Sequence, residues 1–359
     1  MGQVLAAPIT EKESGDGAAA PKGLAWGHSC MQGWRVQMED AHFALAALDG
    51  GAWQNVAAFG VMDGHGGKEV ARFCERHLPE EIVRGSSADP HGALVAAFQR
   101  MDELLVDREQ SAEELRELSG EGGLVNPDWV GCTCVVCLLE PEAIIVANCG
   151  DSRAVLSRRR KALPLSEDHK PNLPVESERI HLAGGTVERR QVGTIVQYRV
   201  NGNLNLSRSI GDLEYKKNTA LPPSGQMISA TPDVQSLKRE AGDEFLIVAC
   251  DGIWDVMDNQ EVVDFVHERL PQQLKSGRPL SGIMEELMDH CISPDLSTTN
   301  GLGGDNMTAM IVLLEAPKPA LGSTVACTES EAPVSSMANV EDGSIQPTGL
   351  CGCRTDASK

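Results

Sequence analysis

Four aspartates of this chain stand at the ends of apolar runs, three just after a run and the fourth just before one: Asp63, Asp151, Asp251 and Asp305. The first is followed by a glycine-rich stretch that carries His65. Apolar runs of this length that end in glycine or aspartate are typical of buried strands that open into loops. Because strands packed in sheets bring their ends together, we expect the four carboxylates and the imidazole to meet at one rim.

Such a cluster of carboxylates repels itself unless cations occupy it. Hard oxygen ligands without companion cysteine or histidine pairs favour Mg²⁺ or Mn²⁺ over zinc. Upstream, Arg35 stands four and five residues before Glu39 and Asp40, so in an extended segment the arginine and one acid can line the same site. A solvated strand end explains that hexapeptide equally well on its own. Its combination with the strand-end aspartates and Asp255 favours a functional site.

The composition excludes several classes of function. The 359 residues allow roughly two domains or one large one, and 41% hydrophobic residues suffice for a sizeable core. The net charge of −21 argues against nucleic acid or an anionic membrane as the main partner. No apolar run approaches the ~18 to 20 residues of a membrane-spanning helix. Eleven cysteines and no signal-peptide pattern favour a reducing, cytoplasmic setting, with the nucleus or the membrane periphery left open.

Both ends of the chain are predicted to be flexible. Residues 1–22 are small and polar and predict a flexible arm, and residues 316–359 are acidic and rich in Ser, Thr and Pro, which predicts a disordered tail. N-myristoylation of Gly2 stays open, because the pattern asks for Ser or Thr where the chain has Ala6. Cys351 and Cys353 are either lipid acceptors or ordinary exposed thiols.

Between these ends the hydrophobic pattern predicts alternating strands and helices. Helices are expected at residues 68–78, 92–118, 259–269 and 280–291, and strands at 131–139, 143–149 and 152–156. The short connections between these strands are typical of antiparallel meanders. Strand alternation places Cys132 and Cys134 on one side and Cys137 on the other, so these cysteines are interpreted as core residues rather than a metal site.

A series of motifs, spread in one order over residues 23–314, resembles the metal-dependent protein Ser/Thr phosphatases of the protein phosphatase 2C family. They are RVQMEDAH from Arg35, FGVMDGHGG from Phe59, GCT from Gly131, NCGDSRA from Asn148, EDHKP from Glu167, ERIHLAGG from Glu178, RVNGNLNLSRSIGD from Arg199, ATPDV from Ala230, ACDGIWDVM from Ala249 and GGDNMT from Gly303. The resemblance implies an α+β fold over residues 23–315, a four-layer αββα sandwich in which helices flank two mainly antiparallel β-sheets.

The resemblance also implies a role for each candidate residue. By this resemblance Asp63 bridges two Mg²⁺ or Mn²⁺ ions, the carbonyl of Gly64 binds one of them, and Asp251 and Asp305 bind the other. Glu39 and Asp40 act on metal-bound waters, and Asp151 and Asp255 with Asp251 match a weaker third metal position. Arg35 binds phosphate, and His65 is the proposed general acid. The activity implied is hydrolysis of phosphoserine and phosphothreonine in phosphoprotein substrates by a metal-bridging hydroxide, in a protein expected to be a monomer.

Two other classes of protein remain as alternatives. A catalytically inactive phosphatase-fold binding module would lose ligand aspartates, whereas this chain keeps Asp63, Asp251 and Asp305. A metal-dependent phosphatase of small metabolites would share the same metals and differ only in its substrates. Residues 186–198 read as longer than usual in what would be the flap beside the active site, so the resemblance does not imply the choice of substrate.

Overall fold

We describe a computed structural model of the chain for residues 4–19, 22–48, 51–120, 125–192 and 195–314. The strands are β1 (Val4–Ala19), β2 (Leu24–Arg35), β3 (Ala41–Leu45), β4 (Ala57–Met62), β5 (Gly64–His65), β6 (Gly131–Cys132), β7 (Cys134–Leu139), β8 (Ala143–Cys149), β9 (Arg153–Arg158), β10 (Lys161–Pro164), β11 (Val187–Val192), β12 (Ile195–Val200), β13 (Ile210–Gly211), β14 (Asp233–Lys238), β15 (Asp243–Ala249) and β16 (Met307–Leu313). The helices are α1 (Glu69–Arg84), α2 (Pro90–Val106), α3 (Arg108–Ser119), α4 (Pro174–Leu182), α5 (Asp251–Trp254), α6 (Asn259–Ser276) and α7 (Ser281–Cys291).

Two antiparallel sheets form the centre of the molecule. The six-stranded sheet has the order β1-β2-β16-β15-β9-β10, and the five-stranded sheet has the order β14-β8-β7-β4-β3. A small sheet, β13-β6-β5, and the hairpin β11-β12 complete the described strands. The hairpin covers most of the segment that was predicted to be the extended flap.

Alternation along β15 shows how the layers stack. Leu246 and Val248 belong to the core between the two sheets, whereas Phe245 and Ile247 belong to the core under α5, α6 and α7. On the other side of the molecule, α1, α2 and α3 cover the outer face of the five-stranded sheet. Because each central strand is covered on both faces, the strands read as continuous apolar runs. This order of layers confirms the predicted αββα sandwich.

The cysteines of β6 and β7 lie as strand alternation predicts. Cys132 and Cys134 pack in the core beneath α1 and α2, and Cys137 packs between the sheets. All three are fully buried. Burial raises the pKa of each of these thiols above its ordinary value. They are therefore small apolar core residues, as their pattern indicated.

The prediction of one continuous helix over residues 92–118 is wrong, because two helices, α2 and α3, cover this segment. The chain leaves the helix at Asp107, whose backbone angles are φ −74° and ψ 85°, and α3 begins one residue later. The hydroxyl of Ser111 donates a hydrogen bond to the Asp107 carbonyl oxygen at 3.0 Å. The break turns Leu115 and Leu118 into the core.

The N-terminal segment is not the flexible arm that its composition predicts. Residues 4–19 form β1, which pairs with β2 in continuous register from Lys12 to Ala19 and with register shifts before Lys12. Its glycines indicate flexibility in the sequence, but they are needed for contact. A Cβ at Gly17 would lie 2.1 Å from the indole of Trp26, and one at Gly15 would lie 2.6 Å from the imidazole of His28. The predicted tail, with Cys351 and Cys353, and Gly2 at the other end lie outside the described residues.

No helix in the described ranges combines the length and the apolar character needed to cross a membrane.

Candidate functional site

The predicted site residues lie at the ends of central strands or in the loops that follow them. Arg35 ends β2, and the loop between β2 and β3 carries Glu39 and Asp40. The remaining acids follow or precede a strand: Asp63 after β4, Asp151 after β8, Asp251 at the start of α5 after β15, and Asp305 before β16. Gly64 and His65 form β5. The short β5 pairs with β6, which places both residues beside Gly131 and Cys132.

Two close backbone approaches bring these loops together. A Cβ at Gly64 would lie 2.3 Å from the carbonyl oxygen of Glu39, and a Cβ at Gly252 would lie 2.0 Å from that of Asn306. Any side chain larger than hydrogen would force the backbones apart at either position. The glycines after Asp63 and Asp251 therefore let the acid-bearing loops touch.

Asn306 ties the loop after β2 to the loop before β16. Its side-chain amide donates hydrogen bonds to the carbonyl oxygens of Gln32 at 2.8 Å and Gln37 at 3.0 Å. Its side-chain oxygen accepts a hydrogen bond from the backbone N–H of Glu39 at 3.0 Å. Arg35 then donates a hydrogen bond across the same gap to Asp305. The arginine and the acids of the sequence motif therefore share one site, as predicted.

The innermost acids lie close together. Ligand atoms of Asp40, Asp63 and Cys250 all lie within 4.8 Å of one another. One oxygen of Asp40 accepts a hydrogen bond from the Thr308 hydroxyl at 2.7 Å, whereas its Oδ1 is buried without a partner in the described part of the chain. Buried polar atoms are nearly always paired, so this oxygen marks a place for a ligand.

Electrostatics support the same interpretation. Burial, and then the charges of neighbouring carboxylates, raise the pKa values of Asp63 and Asp251 well above their ordinary range. Burial also raises the pKa of Asp40 to about 7. Carboxylates that repel one another in this way are stabilised by a hard divalent cation, and the donor set fits one. Cys250 is not a ligand by this chemistry, because burial raises its pKa and its sulfur accepts the Thr308 N–H at 3.1 Å.

A second group of acids adjoins the first. Burial raises the pKa of Asp255 to about 6, with Asp151 and Asp305 adding to the effect. Lys170 donates a hydrogen bond to Asp151 and so provides this group with its own cation. The structure therefore brings Asp151, Asp251 and Asp255 close enough to interact.

His65 is held by a carboxylate that is not one of the predicted site residues. Its Nε2 lies 2.7 Å from Oδ2 of Asp212, a carboxylate that is only 3% exposed. Burial alone would lower the pKa of His65, but Asp212 more than offsets this and the pKa is raised. No role was predicted from the sequence for Asp212, Lys170 or Asn306. Each of them falls inside one of the quoted motifs, which is the signal that could have drawn attention to it.

Comparison with known proteins agrees with this geometry. A family model described as Protein phosphatase 2C matches residues 24–300. The chain is 41% identical over 354 residues to a protein of Arabidopsis thaliana named Probable protein phosphatase 2C 21, covering 89% of this chain and 94% of that one. It is 42% identical over 319 residues to Protein phosphatase 2C homolog 2 of Schizosaccharomyces pombe, covering 87% of this chain and 78% of that one.

A similar fold is found among solved structures. A phosphatase from a pathogenic strain of Toxoplasma gondii superposes with a TM-score of 0.64 and 24% identity, covering 84% of this chain and 95% of that one. That likeness concerns the fold alone. The family model and the relatives at about 40% identity confirm the resemblance that the motifs carried. Sequence, fold and the placement of the acids thus agree, and this chain belongs to the protein phosphatase 2C family.

Proposed function

We propose that this site hydrolyses phosphoserine and phosphothreonine monoesters in proteins with the help of divalent metal ions. The chain is a metal-dependent protein serine/threonine phosphatase by its family. The observation that carries the proposal is the convergence of Asp40, Asp151, Asp251 and Asp305 around Asp63. Arg35 is hydrogen-bonded to Asp305 and His65 to Asp212. Nothing in the described residues favours the catalytically inactive alternative, because the aspartates expected to hold metal are all in place.

The metal ligands are proposed residue by residue. Asp63, the Gly64 carbonyl, Asp251 and Asp305 would hold two Mg²⁺ or Mn²⁺ ions, with Glu39 and Asp40 reaching them through water, and Asp151, Asp251 and Asp255 would hold a weaker third. When bound, such ions neutralise the phosphate dianion and supply an acidified water as nucleophile. Support for these ligands comes from the family motifs and from the raised pKa values of Asp63 and Asp251.

The chain's own side chains would bind the substrate and move one proton. Arg35 would hold non-bridging phosphate oxygens through its planar guanidinium. A water oxygen forms a bond to phosphorus while the ester P–O bond breaks. The departing serine or threonine oxygen takes a proton from His65, and the proton lost by the water restores the balance. The net reaction converts a phosphate monoester and water into an alcohol and hydrogen phosphate.

We propose four further properties. The catalytic domain extends to about residue 315 and, because β1 belongs to the six-stranded sheet, starts near residue 4 rather than residue 23. The protein acts as a monomer in the cytoplasm, and Gly2 is a candidate for N-myristoylation with peripheral membrane association. Mass spectrometry of protein purified from its own cells, together with size-exclusion chromatography, tests the acylation and the monomer.

The first experiment is hydrolysis of a phosphothreonine peptide by purified protein with Mn²⁺, Mg²⁺, Ca²⁺ or EDTA. We expect phosphate release with Mn²⁺ or Mg²⁺, none with EDTA, and none from the Asp305→Ala variant. Asp243→Asn, a buried aspartate at the far end of β15, serves as the matched control and should stay active. A folded wild-type protein that releases no phosphate with any metal would point to the binding module instead.

A further inference from the structure

We propose that Asp212 is a positioning residue for His65, which it holds so that ring nitrogen Nδ1 serves the leaving oxygen of the substrate. This inference rests on the proposed phosphatase function. It concerns a residue that the metal site does not use and that lies 147 positions from His65 in the sequence. The argument starts from the two nitrogens of the imidazole, which are not equivalent here.

The contact with Asp212 determines which ring nitrogen of His65 binds Asp212 and which is left for the substrate. Oδ2 of Asp212 lies 2.7 Å from Nε2 and also accepts a hydrogen bond from the Ser209 hydroxyl at 2.5 Å. Burial alone would raise the pKa of Asp212, but His65 and Ser209 lower it below its ordinary value. An ionised carboxylate can only accept hydrogen bonds, so Nε2 must be the donor. Among the described residues, Nδ1 has no hydrogen-bond partner, and it is the nitrogen left for substrate.

Asp212 is itself held firmly. Its backbone adopts φ 50° and ψ 39°, a left-handed conformation that a residue other than glycine rarely takes. Its N–H donates a hydrogen bond to the carbonyl oxygen of Val130 at 3.1 Å. Backbone strain of this kind persists only where surrounding contacts determine it. The carboxylate is therefore fixed rather than free to follow the ring.

Gly131 leaves room for the contact between His65 and Asp212. This glycine is the partner of His65 in the β5-β6 ladder. A Cβ at position 131 would lie 2.4 Å from Oδ2 of Asp212 and 2.8 Å from Nε2 of His65. Only a glycine permits the imidazole and the carboxylate to meet over this strand. The same small sheet thus carries all three residues, because β13 places Gly211 opposite Gly131 and Asp212 follows directly.

The consequence for the reaction is a defined path for one proton. Nε2–H stays bound to Asp212 throughout, while the proton on Nδ1 passes to the departing serine or threonine oxygen. The ring is left neutral and is recharged by the proton that the attacking water gives up. A carboxylate beside Nε2 stabilises the charged ring and keeps its second nitrogen aimed at the substrate, without touching the substrate itself.

The test compares two substrates that differ in their need for a proton. A phosphothreonine peptide releases a basic alkoxide, whereas p-nitrophenyl phosphate releases a weakly basic phenolate that departs without help. We expect Asp212→Asn to lower kcat for the peptide about 100-fold and kcat for p-nitrophenyl phosphate by less than about threefold. In a His65→Ala background, Asp212→Asn should add no more than about a twofold loss, because both changes remove the same proton transfer.

A spectroscopic readout is independent of turnover. At a pH where the ring is neutral, nitrogen-15 shifts of His65 should report a proton on Nε2 in the wild type and a mixture of tautomers in Asp212→Asn. Binding of Mn²⁺ by calorimetry should be unchanged. If Asp212→Asn fails to fold, Ser209→Ala removes only the second donor to the carboxylate and should give the same preference between substrates on a smaller scale.

Two results would overturn the inference while leaving the phosphatase intact. One is an equal loss on both substrates; the other is a loss that multiplies with that of His65→Ala. Wild-type protein that is inactive on both substrates with Mn²⁺ would instead contradict the proposed function. Asp243→Asn, again a buried aspartate far from the site, controls for the general cost of removing such a charge.

Discussion

Nη2 of Arg35 donates a hydrogen bond to Oδ2 of Asp305, so the cation expected to hold phosphate is tied to a carboxylate expected to hold metal. Burial alone would lower the pKa of Arg35, but Asp305, Asp63 and Asp251 more than offset this and the pKa is raised. The positive charge of the guanidinium therefore interacts with the carboxylates of the acid cluster. A cation held by Asp305 would compete for that carboxylate, which would leave the planar face of Arg35 to the substrate.

Replacement of Arg35 by lysine keeps the positive charge and removes the planar guanidinium group, which can donate two parallel hydrogen bonds. We expect Arg35→Lys to lower kcat/KM for a phosphothreonine peptide about 10- to 100-fold, which corresponds to about 1.5 to 3 kcal/mol for a charged hydrogen bond. Steady-state kinetics with Mn²⁺ measure the change. Arg158→Lys, whose arginine pairs with Asp243 far from the site, is the control and should lose little. Unchanged kinetics of Arg35→Lys would remove Arg35 from phosphate binding.

Neutralising Asp63 should separate metal binding from folding. Because the pKa of Asp63 is raised, its ionised form destabilises the metal-free protein at pH 7.5. We expect Asp63→Asn to raise the metal-free unfolding free energy, because the neutral amide avoids the repulsion from the neighbouring carboxylates. Wild-type protein should gain about 2.7 kcal/mol from Mn²⁺ at 100 times its Kd, and the variant should gain none.

Thermal unfolding in EDTA and in Mn²⁺ measures both effects. Asp243→Asn provides the contrast, since that aspartate accepts hydrogen bonds from Arg158 and its loss should destabilise the protein. An Asp63→Asn variant that is less stable than wild type in EDTA, or that keeps the Mn²⁺ shift, would contradict the assignment of Asp63 to the metal site.

Glu176 supplies a prediction on acid stability. This buried residue of α4 accepts hydrogen bonds from Arg208 at 2.7 Å, Arg179 at 2.6 Å and the Ser207 hydroxyl at 2.6 Å. Burial would raise its pKa, but Arg208, Arg179 and Ser207 lower it from 4.5 to about 2. A lowered carboxyl pKa stabilises the fold above the unfolded value, and this stabilisation is lost as the pH falls through the folded value.

We therefore expect Glu176→Gln to lower the unfolding free energy by about 3 kcal/mol at pH 7, and the difference from wild type to shrink between pH 4.5 and pH 2. Urea unfolding at a series of pH values measures it. Glu178→Gln, on an exposed glutamate of the same helix, should change stability little at any pH. A difference that does not depend on pH would show that Glu176 acts through packing alone.

The sequence predicted some parts of the site and the fold but not others. Apolar runs that end in aspartate predicted the rim where Asp63 and Asp251 meet, because a buried strand leaves a strong local pattern. The contact between His65 and Asp212 has no such pattern, since it depends on three short strands that pair far apart in sequence. Strand β1 was missed for a local reason: its glycines serve close packing against β2, and a sequence alone does not distinguish that use from flexibility.

The correction of β1 leads to a prediction of its own. Asp16 accepts a hydrogen bond from the backbone N–H of Ser281 at 3.0 Å and another from the Ser281 hydroxyl, at the first residue of α7. A carboxylate in this position satisfies a helix N-terminus and interacts favourably with its dipole. We expect Asp16→Ala to lower the unfolding free energy by about 1 kcal/mol, as measured by urea unfolding. Glu11→Ala, on an exposed carboxylate of the same strand, should have little effect. A flexible arm would make both substitutions silent, so equal and negligible losses would restore the interpretation that the sequence first favoured.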